Sequence, residues 1–451
     1  MPTLIEELAD YSVREAARPL DEQVVHHAKR AVLDWFSALY PGTREPVAQR
    51  LVKAYSDEVG IGKCSIPGFA STCLPGTAAW INGTSSHAIE FDDIFRDAVY
   101  HPGVPTVAAA LAMGEQLNAS GSDMLKAVVI GYEISTRIGA AVQPSHYRFF
   151  HTTGTIGCFA SAAAAAFLLA PGDRKVMVNA LGTAGSFASG LQQAFRSECM
   201  TKALHGGHAA SAGITAARAA AAGVTGAVDM LEGEVGFGAA MSNDPQWSKA
   251  VAGLGEIYNI TRITQKTHGC CGHTFAAIDA VQLLREQLSA DEREQVQRIE
   301  VDTYQVALDV TGNYEPELAY QAKFSLPYVL VQALRYGSVR LAAFSSERLA
   351  EQHTRDMMQR VVLRADAELT RQFPGVRAAR VKLILSDGRE LEHFAPYRKG
   401  DPEAPMSDTE LDDKFAELVA PILGEQAMGK LRGQLWRLDE LQLKDLGLAA
   451  L

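Results

Sequence analysis

The sequence predicts a mainly α fold: a large all-helical domain with a smaller α+β domain inserted near its C-terminal end. Three observations predict it. Apolar residues recur with a helical period through the first 260 residues. Period-two alternation begins only after that point. Two more helices then close the chain after a Pro/Gly-rich break near residue 400.

In chain order, Glu22 to Tyr40 places Val24, Val25, Ala28, Val32, Trp35, Phe36 and Leu39 on one stripe. Val104–Leu117, Met124–Val142, Ile156–Leu169 and Gly206–Ala222 are Ala-rich and apolar nearly all round, the pattern of helices buried on several sides. No alternating strand stands out in this part. Beyond residue 260, Arg298 to Ala307 alternates as a half-buried strand does. Val361–Leu363 reads as a short strand. Arg380–Leu385 and Glu390–Phe394 flank Asp387-Gly388, a hairpin signal. Thr274–Leu288 and Tyr328–Tyr336 read as helices. Tyr397 to Ser407 reads as a linker. Ser407 and Glu410 then form a capping-box pattern ahead of helices at Glu410–Leu418 and Gly424–Trp436. The boundaries implied are 1–262 with 397–451 for the helical domain and 263–396 for the α+β domain.

Composition narrows the function classes. The net charge of −11 argues against nucleic acid, which wants a basic face. It leaves room for a small anion, because a few Lys and His set the field of a pocket. No stretch reads as a membrane span of about 20 apolar residues. The N-terminal segment lacks the basic-then-apolar pattern of a signal peptide. The six cysteines are scattered apart from Cys270-Cys271, which is no disulfide framework. The expectation is a cytoplasmic, reduced protein.

Four segments gather chemistry. Asn82 to Pro105 holds His87, Glu90, Asp92, Asp93, Asp97 and His101. Dense polar groups between apolar helices suggest a pocket wall, and the His-Pro-Gly turn would hold the His101 imidazole at a helix entrance. The plainer alternative is that Asp92 and Asp93 cap a helix or pair at the surface. The His/carboxylate spacing matches no metal motif, so no metal is expected. His151, with Thr152, Thr153 and Gly154, precedes a buried helix whose N-terminus favours anions; a simple threonine cap is the alternative. Lys202 and His205 stand among small residues at a helix start, where a ligand carboxylate would suit the ammonium. Lys266, His268, Cys270, Cys271 and His273 lie at the domain break, a common place for ligand sites. Adjacent cysteines do not fit zinc spacing, and a thiol nucleophile would need His268 or His273 as its base. No phosphate loop, Rossmann fingerprint or nucleophile elbow is present, so no nucleotide or flavin cofactor is implied.

Taken together, these segments resemble the MmgE/PrpD family. The resemblance rests on Asn82-Gly83 through His87, Phe91-Asp92-Asp93, His101-Pro102, His151-x-x-Gly154-Thr155, Leu181 to Ser186, Lys202-x-x-His205, Glu232-Gly233 and Ala322 to Tyr328, in that order along the chain. That family contains 2-methylcitrate dehydratases, cis-aconitate decarboxylases and iminodisuccinate epimerases. The resemblance implies a helical domain with an α+β lid, an active site between them, a homodimer, and no metal or organic cofactor. It further implies active-site roles for Glu90, His101, His151, Lys202, Lys266 and Tyr328. One departure is visible. Dehydratases carry Pro-Ala-Glu or Pro-Ala-His after the lid lysine; here Cys271 takes the acid or His position, with His273 nearby as a replacement.

The expected activity is a cofactor-independent lyase, dehydratase or decarboxylase, on a citrate- or aconitate-like acid. The alternatives are an epimerase of an iminodisuccinate-like dicarboxylate and a non-catalytic ligand-binding member. Lys202, Lys266 and His151 are expected to bind carboxylates, since charge developing beside a carboxylate needs cationic donors. His101 is expected to move the proton, with His273 or Tyr328 as second carrier. Glu90, Asp93, His205 and Cys271 are expected to line the substrate site.

Overall fold

A computed structural model describes residues 2–451 apart from Glu198 and Pro374. The chain divides into two compact units, residues 1–264 with 407–451 and residues 265–406.

The first unit is helical. Its elements are α1 (Leu4–Ala16), α2 (Glu22–Gly42), α3 (Pro46–Ala54), α4 (Pro75–His87), α5 (Gly103–Leu117), α6 (Gly121–Val142), α7 (Thr152–Thr155), α8 (Gly157–Leu169), α9 (Arg174–Phe187), α10 (Gln193–Arg196) and α11 (Thr201–Ala221). The Ala-rich helices α5 and α8 bury nearly every residue, as their all-round apolar character requires, and α11 buries its run of small residues from Gly206 to Ala220 on one side. Small residues let axes approach. A Cβ on Gly207 of α11 would lie 2.2 Å from the Trp80 carbonyl oxygen of α4, and one on Gly83 would lie 2.8 Å from Gly207 Cα. Only glycine allows these two helices to touch backbone to backbone.

Two expectations need correction here. A short antiparallel hairpin, β1 (Cys64–Ile66) and β2 (Ser71–Cys73), interrupts the helices. Three-residue strands are too short to show alternation. The uncharged stretch Thr152–Leu169 is also long and apolar enough to cross a membrane, contrary to the reading above, and 89% of it is buried inside the unit. That is the environment of a core helix.

Residues 407–451 return to this unit as helices α14 (Asp408–Leu423) and α15 (Glu425–Trp436). The Ser407/Glu410 capping box forms as expected. On α14, Leu411, Phe415 and Leu418 are buried at helical spacing, and so is Lys414. The Lys414 ammonium donates to Asp34 Oδ1 of α2 at 2.6 Å and to the Phe91 carbonyl at 3.1 Å, and lies 4.5 Å from the Phe91 ring centroid.

The second unit is α+β. Helices α12 (Phe275–Arg285) and α13 (Leu326–Tyr336) contribute to one core with a four-stranded sheet. The strands are β3 (Val296–Thr303), β4 (Val361–Ala365), β5 (Ala379–Leu385) and β6 (Glu390–Ala395), in the order β4-β3-β5-β6. Only the β3–β4 pair is parallel. Gly388 takes a φ of +86° in the β5–β6 turn, which the Asp-Gly pair anticipates. Strand β3 ends at Thr303, before the expected Ala307. Gln305–Thr311 is helical, and its buried Ala307 and Thr311 are four residues apart. The apparent continuation of the alternation was a helix start. The segment expected as a linker is folded into this unit: Arg398 and Asp401 form a buried bidentate pair at 2.8 and 2.9 Å. The Gln265 amide donates to the Gly400 carbonyl at 3.0 Å.

Candidate functional site

In the helical unit, the loop between α4 and α5 carries most of the polar groups singled out from sequence. Its path is strained. Glu90 and Val99 hold left-handed φ values of +62° and +49°, unusual for side chains with a Cβ and rarer still for a β-branched one. Short bridges pin it: Phe95 pairs with Tyr100, and Ile94 with Thr264.

His87, the last residue of α4, donates through Nδ1 to Asp92 Oδ2 at 2.7 Å. The same oxygen lies 3.0 Å from His101 Nδ1, which also meets the Asp93 carbonyl at 2.8 Å. Both neighbours of that nitrogen are acceptors, so His101 carries its hydrogen on Nδ1. Its Nε2 holds the lone pair when the ring is neutral. Asp92 thus orients two imidazoles with one oxygen. His87, Asp92 and His101 are close enough to share a cation, with donor atoms within 4.8 Å of one another. The proton that His101 Nδ1 needs to reach a carbonyl is not compatible with that nitrogen being a ligand.

The imidazoles form a continuous cluster. The His87 ring lies 5.1 Å from His101 and stacks at 5.4 Å on His151. His151 Nδ1 is 3.0 Å from His205 Nδ1, so one of the two donates and their tautomers are coupled. Burial holds the His151 pKa well below its ordinary value, assisted by His87, Lys202, His101 and His205. Burial likewise pulls His205 down to about 4, assisted by His87, His208 and Lys202. Both are therefore neutral hydrogen-bonding groups at neutral pH.

Lys202, in the first turn of α11, pairs with Glu90 and lies 5.0 Å from the Phe195 ring, which in turn packs edge-on against His151 at 4.8 Å. Burial pulls the Lys202 pKa down, but the Glu90 carboxylate more than offsets it, and the ammonium stays charged. Exposure separates two sets of groups. His87, Asp92 and His151 are buried, whereas the side chains of His101, Lys202 and Glu90 are 16%, 21% and 32% exposed. An imidazole, a cation and its carboxylate partner thus face outward from a buried frame.

Asp93 does not join that outward set. Its Oδ2 accepts from the Tyr132 hydroxyl at 2.7 Å and its Oδ1 from the Gly103 amide at 3.0 Å, at the start of α5. It caps a helix, as the plainer alternative held. Burial raises its pKa to about 7 despite the Tyr132 bond.

The second unit holds Lys266, Cys271, His273 and Tyr328. The loop carrying the first three is tied down throughout. The Gly269 amide donates to Val339, and the Cys271 amide to Lys323, both at 2.9 Å. His268 Nε2 meets Asp279 at 2.9 Å, and Arg398 donates to the Gly272 carbonyl at 3.3 Å. Lys266 is buried and Cys271 half-buried. The Cys270 thiol contacts Thr274 Oγ1 at 3.2 Å, and burial pushes its pKa up to about 12, which makes it a poor nucleophile. His273 Nδ1 is 2.7 Å from the Tyr304 hydroxyl. Tyr328 is the alternative second carrier named above. It lies in the core of the unit, and its hydroxyl donates to the Ala343 carbonyl at 2.5 Å. Burial raises its pKa as well.

Several residues escaped the sequence reading. Tyr132 and Asp34 are polar groups inside apolar helices. Lys414 carried a signal: a lone cation on the stripe of Leu411, Phe415 and Leu418. Tyr304 carried none.

Residues 6–250 match the MmgE/PrpD N-terminal domain and residues 268–438 match the MmgE/PrpD C-terminal domain. The chain belongs to the MmgE/PrpD family. It is 25% identical over 460 residues to the cis-aconitate decarboxylase-like protein oryM of Aspergillus oryzae, covering 96% of this chain and 94% of that one. It is 26% identical over 438 residues to cis-aconitate decarboxylase of Homo sapiens, covering 94% and 89%. To cis-aconitate decarboxylase of Aspergillus terreus it is 24% identical over 458 residues, covering 96% and 93%. The family assignment made from residue blocks and the domain matches agree, and the N-terminal match spans His101, His151 and Lys202.

Proposed function

We propose that this MmgE/PrpD protein is a cofactor-independent lyase that decarboxylates a small polycarboxylate of the cis-aconitate type. The observation that carries the reading is the outward set of His101 and Lys202 on a buried frame of His87, Asp92 and His151. The names of the similar proteins support decarboxylation over dehydration.

In this reading the second unit serves as a lid, and Lys266 joins Lys202 in binding substrate carboxylates. A carboxylate held by Lys202 would displace Glu90 from the ammonium. Loss of CO₂ leaves an electron pair on the former carboxyl-bearing carbon. His151 and the lysines stabilise the charge that develops beside it. An imidazole then delivers a proton to carbon, His273 being the candidate donor, while His101 Nε2 removes a proton where the double bond must move. Atoms balance as one CO₂ released and one net proton gained by carbon, any proton that His101 removes being matched by a second one returned. The family supports a homodimer, and the reading assigns the cytoplasm, with no nucleic-acid or membrane partner.

The deciding experiment is a proton NMR time course in D₂O with cis-aconitate, a 2-methylcitrate-like hydroxy acid and an iminodisuccinate-like dicarboxylate, with CO₂ measured in parallel. CO₂ release with one deuteron on the product carbon supports the proposal. Loss of water from the hydroxy acid alone indicates a dehydratase. Exchange without net loss indicates an epimerase. No change in any substrate would leave a ligand-binding member and overturn the enzyme reading.

A further inference from the structure

Among the described residues, His273 makes its hydrogen bond through Nδ1. Its Nδ1 is 2.7 Å from the hydroxyl of Tyr304, which follows strand β3 and is 1% exposed. The tyrosine is itself fixed. Its ring stacks on Phe373 at 4.8 Å and 14°, and the Arg377 guanidinium lies 5.7 Å from the Phe373 centroid. The His273 ring meets Tyr304 at 5.6 Å and Phe373 at 6.0 Å.

The phenol decides the direction of the hydrogen bond. A buried O–H left without an acceptor forfeits its hydrogen bond to water with nothing in return. Among the described residues, the one hydrogen bond of the Tyr304 hydroxyl is to His273 Nδ1. The hydroxyl therefore donates, Nδ1 accepts, and the imidazole carries its hydrogen on Nε2. Here His273 differs from His101, whose hydrogen is on Nδ1. One ring presents a proton and the other a lone pair.

We propose that Tyr304 is a positioning residue that fixes His273 as the Nε2–H tautomer and replaces the proton His273 gives up. This deepens the lyase reading and rests on it. A neutral imidazole is too weak an acid to donate alone, since it would become imidazolate. With Tyr304 behind it, the proton on Nε2 goes to substrate carbon as the Tyr304 proton moves to Nδ1. The carbon gains a C–H bond, the imidazole ends neutral, and the negative charge rests on the phenolate. Burial pushes the Tyr304 pKa up to about 12, so the phenolate is short-lived, and the fields of Arg377 and Arg398, which reach both rings, offset only part of that cost. Solvent later returns the proton.

The test is Tyr304→Phe, which keeps the ring stack. In protein labelled with ¹⁵N-histidine, the ring signal absent from a His273→Gln variant should show the Nε2–H tautomer. In Tyr304→Phe it should shift toward a mixture with the Nδ1–H form. With cis-aconitate, kcat should fall by ~10²-fold, the scale of general acid–base catalysis, with KM held within about threefold. An unchanged tautomer overturns the proposal, whether or not kcat falls, because Tyr304 would then act through packing alone. A shifted tautomer with unchanged kcat overturns the proton-replacement role. The tautomer readout needs no substrate. If the wild-type protein turns over no polycarboxylate while the tautomer still shifts in Tyr304→Phe, it is the lyase reading that fails.

Discussion

His101 and Lys202 both reach outward from the imidazole cluster, yet their substitutions should have different effects. His101→Ala removes a lone pair that Asp92 and the Asp93 carbonyl hold in place. It should lower kcat by ~10²–10⁴-fold without unfolding the protein. On the proposed reading, Lys202→Ala removes a charge that binds a substrate carboxylate and also stabilises the charge developing beside it, so KM should rise markedly and kcat should fall as well. Steady-state kinetics on cis-aconitate, beside a thermal melt, separates the two. A buried imidazole outside the cluster gives a pH prediction. His146 donates from Nδ1 to the Met241 carbonyl and accepts at Nε2 from Thr155, and burial lowers its pKa to about 4. The unfolded chain takes up this proton near pH 6.5, before the folded state does. Stability from the neutral ring is therefore complete above pH 6.5 and is lost as pH falls toward 4, by about 3 kcal/mol at most. Urea unfolding at pH 7 and 4.5 should show the wild type losing more than His146→Gln.

Among elements, the α4–α11 contact governs how His87 approaches Lys202 and His205, because these residues stand near facing ends of the two helices. Gly207→Ala places a methyl group against the Trp80 carbonyl and should separate the helices. Overpacking of this kind costs roughly 1–3 kcal/mol. Activity should fall further than stability alone explains, as measured by kcat/KM at a temperature well below the melt. The long helices of this unit were legible because burial on all sides leaves uncharged, Ala-rich runs. The β1–β2 hairpin was not, since three residues carry no period. Strand β3 was overextended for a related reason: Thr303, Gln305 and Ala307 alternate, but the last two open a helix. His101, His151 and the helix-start Lys202 were singled out through neighbouring Pro, Gly and Thr. Tyr328 was named from family order, which gives a position and not a hydrogen-bond partner.

At the scale of the whole molecule, the helical unit is discontinuous, and Lys414 joins its two segments. Its charge meets the buried Asp34, whose pKa is raised by burial even with the lysine beside it. Lys414→Met should be strongly destabilising, by about 3–5 kcal/mol, because it leaves a buried carboxylate unpaired. The double variant Asp34→Asn with Lys414→Met should recover much of that loss in chemical denaturation. This contact could not be read from local pattern, since it joins residues near opposite ends of the sequence. It also has a consequence for synthesis. Residues 407–451 leave the ribosome after residues 265–406, a delay on the order of ten seconds at roughly 5–20 residues per second. During that interval Asp34 lacks the Lys414 ammonium and so does the Phe91 carbonyl, so closing this region of the nascent unit is unfavourable. The clamp therefore acts as a completeness check: a chain that stops short of Lys414 should not assemble the loop that carries Asp92 and His101.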